Sequence, residues 1–394
     1  MSDRKVSPSQ AKRILTRSIQ LLMPTFIWGP PGIGKSDIVK QVAAALWKDE
    51  DGNDDPLAVA VIDLRLALME PTDLRGYPYR HVDPVTQETE MRWAQLSDLP
   101  TAEFAAKFKT VILFLDELNS APPSVQSAAY QLTLDRRIGD YVLPDNVAMI
   151  AAGNQQSDKG VTHRMPTPLA NRLCHINMQE DFEDWFNWGM DKGVHLDVLG
   201  YLMYDKDSLN TFDSQDTTNL ITFATPRSWV YVSDLLKLEG YERVPLAEVT
   251  AEISGRIGEG PAVKFLAHRK IAGQLPPAVD IMSGKVTELD KDVFEREMSA
   301  KYSMCVTLAH ELYLLHEEEG TTEKVFNKAL NHTLRFVFNS IDAEMVVFFL
   351  KNALRTNPDG TSLFDLRSTL DPDLKKAFHG RYLQHLKNVP GNAS

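Results

Sequence analysis

The chain has 394 residues, of which 43% are hydrophobic and 24% are charged, and its formal net charge is −12. This length is enough for two or three domains of ~100 to 200 residues each, and the acidic balance disfavours a broad nucleic-acid-binding surface. The chain starts without the apolar segment of a signal peptide and contains no run of 18 apolar residues, so we expect a cytoplasmic protein without a membrane span. The two cysteines, Cys174 and Cys305, lack metal-ligand spacing and suit a reducing compartment.

Strand-like and helix-like segments alternate as far as about residue 178, and helical patterns follow to the end of the chain. The first segment, from Ser9 to Met23, has the pattern of an amphipathic helix that ends at Pro24. Four apolar runs are typical of buried parallel strands: Thr25–Trp28, Leu57–Leu64, Val111–Leu115 and Asn146–Ala152. Strands that alternate with helices predict a parallel sheet whose ligand lies at the carboxyl ends of the strands.

A glycine-rich motif directly follows the first of these strands. It has the spacing G-x-x-x-x-G-K-S and consists of Gly29, Pro30, Pro31, Gly32, Ile33, Gly34, Lys35 and Ser36. The next segment, Asp37 to Trp47, has the pattern of a helix whose positive N-terminal end would face a bound anion. We therefore expect a nucleotide-phosphate site, with Lys35 at the β- and γ-phosphates and Ser36 on Mg²⁺. The alternative is an ordinary glycine-rich turn before a helix.

Two adjacent carboxylates follow the strand Val111–Leu115. Asp116 can hold the Mg²⁺ shell, while Glu117 orients and deprotonates the attacking water, as phosphoanhydride hydrolysis requires. An Asp-Glu pair also occurs at solvated strand ends. The apolar strand before it and the glycine-rich motif upstream favour the functional interpretation.

The segments after this pair predict a hairpin and a further polar side chain at the same edge of the sheet. Arg136–Leu143 alternates and turns at Gly139-Asp140, which is typical of a β-hairpin. The next strand ends in Gly153-Asn154, where Asn154 could hydrogen-bond the γ-phosphate and the lytic water. Gly-Asn pairs also make ordinary turns.

These motifs, taken in order, make residues 9 to 285 resemble the AAA+ ATPases, and within them the MoxR-type branch. The resemblance identifies the glycine-rich motif, together with Asp37, as the Walker A site for ATP and the strand ending at Asp116-Glu117 as Walker B. It also makes Asn154 the sensor 1 residue. The implied cofactors are ATP and Mg²⁺, the latter held by Ser36 and Asp116.

Two inserted hairpins support the branch assignment. Glu70–Pro78, followed by a polar stretch to about Trp93, looks like the helix-2 insert of that branch, with Asp83-Pro84-Val85-Thr86 at its turn. The Arg136–Leu143 hairpin occupies the place of the pre-sensor 1 insertion. Because neither the Asp83–Thr86 turn nor the Gly139-Asp140 turn is apolar enough to be core, we expect both hairpins to project from the sheet's edge toward the axis of a ring.

Two arginines match family positions. Arg172 falls at the position of the arginine finger, a residue that acts in the nucleotide site of a neighbouring subunit. Arg227 falls at the sensor 2 position in the helical lid. A helix-terminal arginine that pairs with a carboxylate or carbonyl is the alternative for Arg172, and Arg164 is its rival for the trans role. For Arg227 the alternative is a plain helix start at Pro226.

The resemblance implies an α/β fold, with an AAA+ αβα parallel-sheet core, an α-helical lid and an additional C-terminal helical region. We assign 1–178 to the core, 179–283 to the lid and 284–394 to the C-terminal region. In that region we expect four helices at about Asp290–His316, Thr322–Phe338, Ala343–Leu354 and Asp373–Leu386. Their apolar stripes favour a core over a binding surface, and no motif there indicates a ligand.

The resemblance implies a Mg²⁺-dependent ATPase that forms a homo-oligomeric ring, expected to be a hexamer, and remodels or activates a partner protein in the manner of a chaperone. The partner is often a protein with a von Willebrand factor A domain. Two alternatives stay open: a nucleic-acid-acting AAA+ motor or initiator, which the acidic charge disfavours, and a nucleotide-gated scaffold with little turnover, which the intact Asp116-Glu117 pair disfavours.

Overall fold

The computed structural model describes residues 4–49, 51–94, 98–155, 163, 165, 167–212, 222–289, 298–353 and 370–377. These residues divide into an N-terminal unit, which ends at Asp184, and a C-terminal unit, which begins at Trp185. In the part of the chain described here, no helix is long and apolar enough to cross a membrane.

Ten strands lie in the N-terminal unit. Their bounds are β1 (Lys5–Val6), β2 (Thr25–Trp28), β3 (Val59–Arg65), β4 (Tyr77–Val82), β5 (Thr89–Ala94), β6 (Thr110–Asp116), β7 (Arg137–Ile138), β8 (Tyr141–Val142), β9 (Val147–Gly153) and β10 (Cys174–Met178). Six of them form a sheet in the order β1-β10-β2-β9-β6-β3, and every pair in it is parallel. The other four form two antiparallel hairpins, β4–β5 and β7–β8, where the sequence predicts them.

Helices cover both faces of this sheet. Those of the N-terminal unit are α1 (Pro8–Gln20), α2 (Lys35–Ala45), α3 (Pro71–Arg75), α4 (Ala102–Ala105), α5 (Pro123–Asp135) and α6 (Thr167–Ala170), and α7 (Phe182–Asp191) spans the division. Alternate residues of β6 point to opposite faces, because successive side chains of a strand do so. Ile112 and Phe114 pack with α1 and α2, whereas Val111, Leu113 and Leu115 pack with α5. The predicted α/β fold with a parallel sheet between helical layers is therefore confirmed.

In the described part of the C-terminal unit, α-helices are joined by loops and short 3₁₀ turns. Its helices are α8 (Leu196–Tyr204), α9 (Pro226–Leu236), α10 (Leu246–Ile257), α11 (Glu259–Ala272), α12 (Ala278–Met282), α13 (Met298–Glu317), α14 (Glu323–Ser340), α15 (Ala343–Ala353) and α16 (Pro372–Ala377). Helices α12 to α16 share one apolar core. Val346, Phe349 and Leu350 of α15 are fully buried in it, so the apolar stripe of this helix is core, as predicted. Parts of the predicted helices Asp290–His316, Ala343–Leu354 and Asp373–Leu386 lie outside the described residues.

Candidate nucleotide-binding site

The glycine-rich motif connects the end of β2 directly to the start of α2. Gly32 and Gly34 have φ values of 80° and 89°, a region in which a β-carbon is unfavourable. A β-carbon on Gly29 would lie 2.6 Å from the Ile33 side chain and 2.8 Å from the Met178 carbonyl oxygen, which leaves no room for one. The loop is thus closed tightly, with its last residue at the N-terminus of α2, where free backbone N–H groups can bind an anion.

Lys35 lies inside this loop. Its half-buried ammonium group donates hydrogen bonds to the Gly29 carbonyl at 2.7 Å, the Pro30 carbonyl at 2.9 Å and Asn154 Oδ1 at 2.9 Å. Lys35 and Asn154 are 119 residues apart, and the parallel pairing of β2 with β9 brings them together. The proposed phosphate-binding lysine and the proposed sensor 1 residue therefore occupy one site.

The two groups expected to hold a metal ion are also adjacent. Ser36 Oγ donates to Asp116 Oδ2 at 3.1 Å, and Asp116 is the last residue of β6. Glu117 is exposed and has a left-handed φ of 57°, and its N–H donates to Asp116 Oδ1 at 2.9 Å. This uncommon conformation turns the chain sharply at the strand end, and backbone strain of this kind is often found at functional sites.

Asn119 holds the Asn154 segment in place, a role that sequence reasoning missed. It is 1% exposed, and its Nδ2 donates to the Asn154 carbonyl at 2.6 Å. A β-carbon on Gly153 would lie 1.9 Å from Asn119 Oδ1 and 2.8 Å from Phe26 Cζ, so only glycine fits at position 153. The Gly-Asn pair is thus a close-packed position rather than an ordinary turn.

A third carboxylate lies within electrostatic reach of Asp116. The pKa of Asp63 on β3 is raised, first because surrounding atoms partly exclude water from its carboxyl group and second because of the negative charge of Asp116; Lys40 and Arg65 oppose this shift. Asp63 was not predicted as a site residue. The signal for it was available, since it comes near the end of a strand that the sequence places in the same sheet.

Arg172 is an exposed residue between α6 and β10. Its Nη1 donates to the Tyr130 hydroxyl on α5 at 3.0 Å, and its guanidinium carbon lies 6.0 Å from the centre of that ring. This hydrogen bond goes to a hydroxyl group. It is therefore neither the ion pair with a carboxylate nor the contact with a carbonyl that was the alternative for this arginine. Arg164 lies outside the described residues.

Arg227 belongs to the C-terminal unit and is exposed in the first turn of α9. That helix begins with a capping box, in which Thr225 Oγ1 accepts from the Ser228 N–H at 3.1 Å and Ser228 Oγ accepts from the Thr225 N–H at 2.8 Å. Pro226 follows Thr225 at the first helical position, where its missing N–H is not needed.

The two hairpins contact each other. The Trp93 N–H on β5 donates to Asp140 Oδ2 at 3.2 Å, and Asp140 lies in the turn of the β7–β8 hairpin. On the longer hairpin, β4–β5, five apolar side chains are exposed: Tyr77, Tyr79, Val82, Val85 and Met91.

The parallel sheet and the helices on its two faces define a domain of the αβα class. Residues 24–173 match the family described as "AAA domain (dynein-related subfamily)", so this part of the chain is similar to an AAA domain. The finding does not extend to the MoxR-type branch. No curated protein sequence matches the chain.

Solved structures give distant similarities only. A Cytophaga hutchinsonii protein provisionally assigned as an ATPase is 13% identical, with 86% of this chain and 78% of that one covered and a TM-score of 0.30. Brucella abortus NtrX in complex with ATP is 13% identical, with 77% of this chain and 69% of that one covered and a TM-score of 0.34.

Proposed function

We propose that this chain is a Mg²⁺-dependent ATPase. The observation that carries the proposal is the convergence of Lys35, Ser36, Asp116 and Asn154 through hydrogen bonds at one edge of the sheet. A lysine ammonium within a glycine loop at a helix N-terminus suits a polyphosphate.

The residues fit a nucleotide and its metal ion. A β-carbon on Gly34 would meet no atom within 4 Å, so the backbone at the start of α2 is open to a ligand, and the hydroxyl of Ser36 with the carboxylate of Asp116 provides the hard oxygen ligands that Mg²⁺ prefers. When bound, Mg²⁺ would neutralise charge on the phosphate oxygens. Lys35 would give up its hydrogen bonds to the loop carbonyls and bind the β- and γ-phosphates instead.

Glu117 and Asn154 have the complementary roles. Glu117 is exposed at the strand end and is proposed to orient the attacking water and accept its proton. The Asn154 amide is proposed to hydrogen-bond the γ-phosphate and that water. Arg172, supplied by a neighbouring subunit, would stabilise negative charge in the transition state, and Arg227 would serve as sensor 2.

The test compares two substitutions that separate binding from turnover. Lys35→Ala should abolish tight nucleotide binding, because the phosphate contact is lost, whereas Glu117→Gln should bind nucleotide as the parent does but stop ATP turnover. Binding is measured with a fluorescent ADP analogue and turnover by phosphate release. A Glu117→Gln protein with turnover near that of the parent would overturn the assignment of the base.

We further propose that the ATPase works as a homo-oligomeric ring, expected to be hexameric, that remodels a protein partner, with a von Willebrand factor A-domain protein as one candidate. The exposed apolar side chains of β4–β5 support a role of this hairpin in protein contact, since exposed loops on a rigid scaffold often carry binding.

Replacing residues 82–86 with a Gly-Ser turn tests this coupling. Basal hydrolysis should stay within a few fold of the parent, because no residue of the phosphate site is changed, but remodelling of the partner should be lost. Size measurement in the presence of ATP separates the alternatives. A ring that dissociates would show that the hairpin joins subunits instead.

A further inference from the structure

A histidine on β10 connects the strand before the phosphate loop to the segment that carries Arg172. The Trp28 indole Nε1 donates to His175 Nδ1 at 2.8 Å, and His175 Nε2 lies 2.7 Å from the Ala170 carbonyl oxygen. The two rings also stack, with centroids 5.9 Å apart and planes at 27°. Both nitrogens of the half-buried imidazole are therefore engaged within the N-terminal unit.

The partners assign the tautomer of His175. An indole N–H can only donate, so Nδ1 must accept and carries no proton. Nε2 then carries the proton and donates it to the Ala170 carbonyl, which can only accept. The imidazole thus accepts a hydrogen bond from Trp28 and donates one to Ala170. A phenylalanine at this position could make neither bond.

The two ends of this bridge adjoin the two functional segments. Trp28 is the last residue of β2 and directly precedes Gly29, whose carbonyl accepts a hydrogen bond from Lys35. Ala170 is the last residue of α6, and Arg172 follows it by two positions in a turn where its N–H donates to Leu169 O at 3.1 Å. The Arg172 side chain itself donates a hydrogen bond to the Tyr130 hydroxyl.

We propose that His175 is a positioning residue, which fixes the Arg172 turn relative to the phosphate loop of its own subunit so that Arg172 can reach the site of a neighbour. This inference rests on the proposed trans role of Arg172. Since His175 does not touch the nucleotide site of its own chain, its loss should impair the site of the neighbour and leave local nucleotide binding intact. Because a misplacement of about 1 Å can reduce catalysis about 100-fold, a long side chain such as arginine depends on a fixed turn.

Two substitutions of His175 separate the hydrogen-bonded bridge from mere ring packing. His175→Phe keeps an aromatic ring but loses both hydrogen bonds, and it should bind the fluorescent ADP analogue within about twofold of the parent while turnover falls ~10- to 100-fold. His175→Gln can both accept and donate, so it should retain most of the turnover. Equal losses in the two variants, or unchanged turnover in His175→Phe, would overturn the proposal. If His175→Phe does not fold, Trp28→Phe removes the donor instead and should lower turnover in the same way.

Mixed assemblies identify which site His175 serves. In a mixture of His175→Phe with Lys35→Ala subunits, the intact Arg172 turn of the latter can complete the phosphate site of the former, so turnover per His175→Phe subunit should recover. A mixture of Arg172→Ala with Lys35→Ala is the reference. If the reference recovers and the His175→Phe mixture does not, the positioning role is wrong while the trans arginine stands. If mixed rings form and the reference stays inactive, the trans role of Arg172 is wrong, and this inference is wrong with it.

Discussion

The two units use buried polar groups in different ways. In the N-terminal unit, Lys35 and Ser36 are half-buried at the start of α2 and Asp116 is half-buried at the end of β6, where Lys35 contacts a loop carbonyl and Ser36 contacts Asp116. In the C-terminal unit, polar side chains lie inside an aromatic cluster whose members are Tyr201, Trp229, Phe265 and His268. The first arrangement is accessible and suits chemistry, whereas the second is closed and suits stability.

Hydrogen bonds complete the second cluster. The Trp229 indole donates to the Ser208 carbonyl at 2.8 Å, and Ser208 Oγ donates to Asp205 at 2.8 Å, which also accepts from Lys264 at 3.2 Å. Burial raises the pKa of the Tyr201 hydroxyl, which lies 3.0 Å from Ser208 Oγ. Burial inside a packed aromatic cluster is thus enough to perturb a pKa, so a perturbed pKa alone does not mark a functional site.

The largest effect is expected from an added methyl group beside the phosphate site. In Gly153→Ala, the new β-carbon would meet Asn119 Oδ1 at 1.9 Å and the fully buried Phe26 ring at 2.8 Å. We expect a loss of about 3 kcal/mol or more in the free energy of unfolding, at the upper end of overpacking costs, measured by chemical denaturation.

A matched glycine in the other unit serves as the control. Gly255 lies within α10, and a β-carbon there would have no atom within 4 Å. Gly255→Ala should stabilise the protein by roughly 0.5–1 kcal/mol, because alanine loses less conformational entropy in a helix. Similar effects of the two substitutions would contradict the claim that Gly153 is required by packing.

The second prediction concerns pH and the aromatic cluster. His268 is 3% exposed, and neither ring nitrogen has a hydrogen-bond partner among the residues that the structure describes. Burial lowers its pKa from 6.5 to about 4. The unfolded chain binds the proton more readily, so this group lowers stability as the pH falls from 6.5 to about 4, by about 3 kcal/mol in total. In His268→Leu this contribution should vanish, so the difference in unfolding free energy between parent and variant should change across that window. A constant difference would contradict the assignment.

Close helix packing in the C-terminal unit gives the third prediction. A β-carbon on Gly200 of α8 would lie 2.9 Å from Ser303 Cα and 3.1 Å from Ser303 Oγ on α13. Because one of these atoms is backbone, the helices must move apart, and Gly200→Ala should cost about 1–3 kcal/mol in the thermal or chemical unfolding of this unit. Gly260→Ala, with no atom within 4 Å of the new carbon, is the control in the same unit. An equal change in both would show that the spacing of α8 and α13 is not tight.

The sequence predicts the sheet and the glycine loop well because their signals are local. Long apolar runs such as Val111–Leu115 and a fixed glycine spacing need no knowledge of the rest of the chain. The strand Cys174–Met178 was not singled out, because Cys174, His175 and Asn177 interrupt its apolar character. It becomes a strand through its parallel pairing with β2.

Contacts between distant residues account for most of what sequence reasoning missed. Asn119 contacts Asn154 across 35 residues, and Trp28 contacts His175 across 147. Neither pair has a recurring spacing, so only the assembled sheet reveals it. The proposed roles of Glu117, Arg172 and Arg227 remain predictions that mutants must test.

The smallest effect is expected at the contact between the two hairpins. Asp140 accepts from the Trp93 N–H at 3.2 Å in an exposed position, so Asp140→Ala should lower the free energy of unfolding by only about 0.5 kcal/mol. Hydrogen exchange of the Trp93 amide is the sensitive measurement, and it should become faster in Asp140→Ala but not in Asp140→Asn, which keeps an acceptor oxygen. Unchanged exchange in Asp140→Ala would show that the hairpins move independently. Faster exchange would show that Asp140 protects the Trp93 amide and thus holds the two hairpins together. Because the β7–β8 hairpin follows α5, and α5 follows the segment that carries Asp116 and Glu117, a motion of that segment could then be transmitted to the exposed apolar hairpin β4–β5.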